Sequence, residues 1–273
     1  MTDADHWRHE TDTIRQIQHA HAAHIESEYR DWAKSPGRDD PDIRIVSGVQ
    51  TYCRGGMETF HNRAILTGDE SAEQLDAVMQ HYVEAERACW VEITPANFYE
   101  EGSSWDSKVL PHLLHRGFTI HGLRSIWMRD SPLTPAELDF GLDCRRVELS
   151  EFETSKVAGG EQDPDQVADI EAAPEFHYYV GTIDDHPVAW VVLWCNGEFG
   201  YLKQANTAEH ARRQGFHSQL IRMRTHDAFG MGARLVFTHT AHGDGQSARN
   251  LQRNGLRIAY NYLLMSREPK PLS

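Results

Sequence analysis

Long apolar runs are missing from this chain of 273 residues, and no window approaches the roughly 18 apolar residues of a membrane-spanning helix. Cysteine is scarce. Cys53, Cys89, Cys144 and Cys195 are scattered without paired spacing, which argues against a disulfide framework and for reduced thiols in the cytoplasm. Positive charge is also short: 27 Lys and Arg stand against 41 Asp and Glu, a net charge of -14 that disfavours a long nucleic-acid contact surface. The opening residues MTDADHWRHE are polar and acidic, unlike a signal or transit peptide.

What is present is ordinary for a globular chain: 40% apolar and 25% charged residues, enough for one large or two ordinary domains. The charge is unevenly spread. Residues 1–142 hold 13 Lys/Arg against 24 Asp/Glu, whereas residues 203–257 hold 9 against 3. A basic island in an acidic chain suits a compact polyanion.

Residues 5–34 read as a helix with a loose apolar stripe of Trp7, Ile14, Ile17, Ala20, Ile25 and Tyr29. Histidines crowd this stretch. His21 and His24 share a face, His19 and His21 do not; solvated histidines are the expectation, with no metal. After a turn at 34–42, alternation gives strands at 43–52 and 62–66. Ser71 with Gln74 forms a capping box for a helix to Glu86. A strand at 88–93, a helix from Trp105 to His115 and a strand at 119–128 follow.

The proline-rich run 131–142 marks a boundary. It separates an N-terminal helical extension (1–42) and a first domain (43–130) from a second domain (143–273). That second domain starts with a strand at 144–149 and a helical piece near Ser150. Three strands in a meander turn at Asp184-Asp185 and at Asn196-Gly197. A helix at 216–229, a strand at 234–240, a helix at 247–254 ended by Gly255, and a closing strand at 258–265 complete it.

The third meander strand feeds directly into Arg212-Arg213-Gln214-Gly215-Phe216-His217. An arginine- and glycine-bearing turn at a helix start can hold a pyrophosphate. The glycine lets the backbone approach, the first N–H groups are unpartnered, and the helix dipole favours an anion.

This order of antiparallel strands, R-x-x-G turn, helix, strand, short S-x-x-N helix and Gly-apolar pair resembles the GNAT superfamily of acyl-CoA-dependent N-acyltransferases over about 175–265. Residues 43–130 resemble a second, degenerate GNAT half, through the ending LLHRGFTIHGLRSIWMR, so the chain as a whole resembles tandem-GNAT acetyltransferases. That half has Leu66-Thr67-Gly68-Asp69-Glu70 where R-x-x-G would stand, and its acidic side chains would repel a pyrophosphate. The resemblance implies an α/β (α+β) fold of two GNAT-like mixed-sheet domains in tandem, helices on both faces, with one acyl-CoA site.

It further implies that Arg212, Arg213, Gln214, Gly215, Phe216 and His217 cradle the pyrophosphate of acetyl-CoA, while Asn206, Thr207 and Asn250 bond the pantetheine arm. Two positions depart from the family pattern: His217 replaces the usual Gly or Ala, and Leu251 replaces a tyrosine that protonates the departing thiolate. For acyl transfer to an amine, Glu198 and His239 are the candidate bases, Ser247 and Tyr260 the candidate acids. The expected acceptor is a small cationic amine, its pocket walled by the acidic N-terminal half, on a monomer or homodimer. Two alternatives stay open, an aminoacyl-tRNA-dependent amide-forming transferase on the same fold and a non-catalytic CoA-binding module.

Overall fold

Local chemistry places many of the elements. In the computed structural model, which describes residues 3–32, 41–53, 61–66, 70–93, 109–138, 141–158, 173–241 and 245–270, the chain divides into two units. One comprises residues 1–126 and 259–273, the other residues 127–258. The closing strand, expected to finish the C-terminal domain, thus falls mostly in the first unit.

The first unit begins with helix α1 (Asp3–Trp32), then strands β1 (Asp42–Val46), β2 (Val49–Cys53) and β3 (Arg63–Leu66). Ser47 and Gly48 both have positive φ, 49° and 89°, the requirement of a two-residue hairpin turn between β1 and β2. Helix α2 (Ala72–Glu84) carries the anticipated box: Ser71 Oγ accepts from Gln74 N, and Gln74 Oε1 accepts from Ser71 N at 2.9 Å. Strand β4 (Cys89–Ile93), helix α3 (Val109–His115), strand β5 (Thr119–Arg129) and, from the chain's end, β11 (Arg257–Arg267) follow. The helix expected from Trp105 is described only from Val109. Likewise, residues 67–69 of the acidic run Leu66 to Glu70 lie outside the described residues.

The sheet order in this unit is β1-β2-β3-β4-β11-β5; β3 runs parallel to β4, and β11 antiparallel to it. Alternation separates its two faces. Ala64, Leu66, Cys89, Val91 and Ile93 pack against Leu75, Val78, Met79 and Tyr82 of α2, whereas Tyr52 and Ile65 pack against Ile25 and Tyr29 of α1. On the α1 side, Glu92 pairs with Arg63 at 3.0 Å and lies 3.6 Å from His21. The expectation of solvated helix histidines is therefore overturned: His21 and His24 are 5% and 3% exposed. Both sit on the apolar stripe of α1 and are carried inward with it, and burial lowers the pKa of His21. Among the described residues no group of three or more His, Cys, Asp or Glu could hold a metal.

The second unit receives the last residues of β5. Its own elements are β6 (Cys144–Val147), α4 (Leu149–Ala158), β7 (Phe176–Ile183), β8 (His186–Cys195), β9 (Phe199–Thr207), α5 (Phe216–Gly230), β10 (Leu235–Ala241) and α6 (Gly245–Arg253). The order is β10-β9-β8-β7-β6, antiparallel from β6 to β9 and parallel between β9 and β10. Asp184 and Asp185 turn with positive φ, while Asn196 Oδ1 accepts from the amides of Glu198 and Phe199 at 3.0 and 2.8 Å. Helices cover both faces. Tyr179 bonds Asp227 of α5 at 2.8 Å, and the ring of its neighbour Tyr178 packs, tilted by 36°, against Phe152 of α4.

The segment read as a linker, 131–142, is tied down where it is described. Arg129 donates to Ser131 O, Pro132 O, Asn254 O and both oxygens of Glu137, and Gln219 exchanges two bonds with the backbone of Leu142.

Candidate active site

Strands β9 and β10 stay paired only briefly. Their register runs from Leu235 opposite Phe199 to Phe237 opposite Tyr201, although β9 continues to Thr207 and β10 to Ala241. Among the described residues, the edge of β9 beyond Tyr201 has no ladder partner on the β10 side. Thr238 Oγ1 donates to Leu202 O at 2.8 Å, satisfying the first carbonyl past the fork.

From Thr207 the chain makes a single turn of tight helix (Glu209–Ala211) and reaches the glycine-bearing turn. Arg213 and Gly215 are left-handed, with φ of 67° and 100°. Gly215 is the N-cap of α5, with no side-chain cap, and the first helical acceptor bond is Gln219 N to Gly215 O at 3.0 Å. The amides of Phe216, His217 and Ser218 form the first turn of α5, where the dipole favours an anion. The helix is anchored from beneath. Phe216 is buried against Gly181, where a Cβ would come within 2.7 Å of its ring. Arg212, Arg213, Gln214 and Gly215 are exposed around the opening.

Several sequence-predicted residues come together here. Arg212 Nε donates to Thr207 O at 3.2 Å, linking the strand end to the turn. Asn250 Nδ2 lies 3.0 Å from His217 Nδ1, so the histidine at the unusual position joins α5 to α6. Asn206 pairs with Trp190 near the end of β9. Ser247 lies partly exposed in the first turn of α6. Leu251 is 4% exposed and belongs to the core under α5.

The candidate bases separate. Glu198 stands at the start of β9, opposite to the fork, where its carboxylate pairs with Arg234 at 2.9 Å. The fork opens beyond Tyr201, three residues or about 10 Å along the strand from Glu198. Glu198 is a hairpin residue whose carboxylate is engaged by Arg234 rather than by any group at the fork. His239 is well placed: it is exposed on β10, two residues past the last paired position, and its Nδ1 is 2.7 Å from Tyr201 Oη. Tyr260 is corrected too. It lies in the first unit, and burial pushes its phenol far above the ordinary value, which makes it a poor proton donor.

Sequence reasoning missed Tyr201, because aromatics in strands are ordinarily core. It also missed a β-bulge: Val192 pairs with Lys203 but Val191 with Ala205, leaving Gln204 as an extra, exposed residue with φ of 30°. The bulge breaks the alternation of burial, since Lys203 is buried and both Gln204 and Ala205 are exposed.

Residues 143–256 match the sequence model of the acetyltransferase (GNAT) family. The fold is similar to that of a GCN5-related N-acetyltransferase from Kribbella flavida, with a TM-score of 0.62 and 16% identity over 92% of this chain and 96% of that one. A tandem GNAT protein from the clavulanic acid biosynthesis pathway aligns with a TM-score of 0.59 and 11% identity, over 82% of this chain and 79% of that one. A GCN5-related N-acetyltransferase from Sphaerobacter thermophilus aligns with a TM-score of 0.56 and 16% identity, over 85% and 77%. No curated protein matches the chain significantly in sequence.

Proposed function

We propose, since residues 143–256 match the model of the acetyltransferase (GNAT) family, that the chain is an acetyl-CoA-dependent N-acetyltransferase acting on a small cationic amine. The observation that carries this reading is the helix start at Gly215, opening immediately after β9 and β10 part. The pyrophosphate of CoA would lie on the amides of Phe216, His217 and Ser218, with Arg212 and Arg213 beside it. Its pantetheine arm would run along the unpaired edge of β9, near Asn206 and Thr207, towards the fork. Asn250 would reach the same arm from α6. Bound there, acetyl-CoA supplies the activated acyl group.

The Tyr201–His239 pair can serve both proton transfers. With the histidine proton on Nδ1, that group donates to Tyr201 Oη. His239 Nε2 then accepts the proton of the attacking amine, directly or through water, and Tyr201 O–H donates to the leaving thiolate. One proton leaves nitrogen and one reaches sulfur, so the step balances. This arrangement needs no tyrosine at position 251. The chain's net charge of -14, which already includes the basic island at 203–257, favours a cationic acceptor.

Isothermal titration with acetyl-CoA tests the reading. Saturable binding below millimolar concentration is expected, and no heat at millimolar ligand would sink it.

A further inference from the structure

Helix α5 buries a stripe in which Leu220 and Ala228 are fully enclosed, and between them, four residues from each, stands Arg224, only 2% exposed. Packing alone would put an apolar residue there. The acceptors of Arg224 are all backbone carbonyls. Nε donates to Leu220 O at 3.2 Å, and Nη1 donates to both Val192 O and Lys203 O at 2.8 Å. Burial lowers the pKa of this guanidinium to about 9, against the pull of nearby Tyr179 and Tyr201.

Val192 and Lys203 are the two residues that face each other just before the bulge at Gln204. An extra residue in one strand disrupts the ladder there and leaves backbone groups without their usual partners. The single nitrogen Nη1 satisfies both carbonyls. The bulge matters for chemistry because a one-residue insertion inverts which backbone groups of the following residues face β8 and which face the gap beside β10. Those residues are Ala205, Asn206 and Thr207, the edge along which the thioester arm is read to lie. The same helix therefore opens on the pyrophosphate at Gly215 and clamps the bulge at Arg224, about 13 Å further along its axis.

We infer that Arg224 is a positioning residue for the acyl-bearing arm of the donor, fixing the β9 bulge and with it the backbone edge that holds the thioester; the inference rests on the acyl-CoA reading above. The probes are acetyl-CoA and adenosine 3′,5′-bisphosphate, which lacks the pantetheine and the thioester. In Arg224→Gln, affinity for the bisphosphate should stay within about twofold while that for acetyl-CoA falls about tenfold, the worth of one hydrogen bond. Arg224→Lys, which keeps the charge and one donor direction, should recover part of the loss, and it carries the comparison alone if the glutamine variant does not fold. Equal weakening for both probes, or unchanged acetyl-CoA affinity, overturns the inference.

If the unaltered protein binds neither probe, the acyl-CoA reading fails and the acyl-positioning role with it. The clamp is then decided by thermal unfolding. Deleting Gln204 removes the bulge, so Arg224→Gln should lower Tm less in that background than in the full chain; equal losses refute the clamp.

Discussion

Gly215→Ala separates the cradle from the rest of the molecule. Gly215 has φ of +100°, and an added Cβ would meet nothing nearer than Leu142 Cδ1 at 3.5 Å, an ordinary contact. The penalty is therefore one of backbone conformation, about 1–2 kcal/mol for an L-residue held left-handed. For a chain of this size that corresponds to a fall in Tm of about 2–8 °C. Relaxing the strain re-aims the amides of Phe216, His217 and Ser218. A hydrogen bond to a charged group is worth about 1.5–3 kcal/mol, so misdirecting one should weaken acetyl-CoA about 10- to 150-fold. Gly230, at the other end of the same helix, is the control: it is not left-handed and has nothing within 4 Å of an added Cβ. Gly230→Ala should stabilise by about 0.4–1 kcal/mol and leave affinity alone. Calorimetry with acetyl-CoA and thermal unfolding of all three proteins read both quantities. If Gly215→Ala loses Tm but binds as the unaltered protein does, the pyrophosphate is not at this helix start.

Tyr201→Phe should lower kcat for acetyl-CoA-dependent thiol release about a hundredfold with KM within about threefold, while Glu198→Gln changes neither; an unchanged Tyr201→Phe would remove the tyrosine as acid, and a comparable loss in Glu198→Gln would return the base to Glu198. Leu251→Ala should cost about 2–4 kcal/mol in denaturant unfolding, because Leu251 is 4% exposed in the core under α5. A loss under about 1 kcal/mol would show that the side chain is not packed there. Stability should also fall in acid. His21 is held neutral by burial, so the unfolded chain takes up its proton near pH 6.5 before the folded chain does. This contribution is complete above that value and is lost as pH falls below it. Glu137, drawn down to about 2 beside Arg129, adds a loss that starts near its ordinary value of 4.5. Urea midpoints that stay level from pH 8 to pH 4 would refute both.

The features legible beforehand share one property: they depend on a few neighbouring residues. The capping box of Ser71 and Gln74, the Asp184-Asp185 turn and the glycine that caps α5 are each decided within about four positions, by φ preference and local hydrogen bonding. The register of the β8–β9 bulge is different. It depends on which residue of one strand meets which of another, and Gln204 reads as one more strand residue until Val192 is seen opposite Lys203. Arg224 offered a clue, a charge in an apolar stripe, without naming its acceptors.

By itself, then, the order of residues determined many of the elements, the glycine-bearing turn and the likeness of residues 143–256 to the acetyltransferase (GNAT) family model, because short-range backbone chemistry writes these into contiguous segments. Only the tertiary structure decided which candidates share a site. It set Tyr201 against His239 across 38 positions, sent Glu198 to the far end of β9, buried Tyr260 in the other unit, and placed β11 beside β4. Such pairings depend on burying matched faces between distant segments, which no local preference specifies. The glycine-bearing turn at Gly215 is written in the chain; the pairing of Tyr201 with His239 is made by the fold.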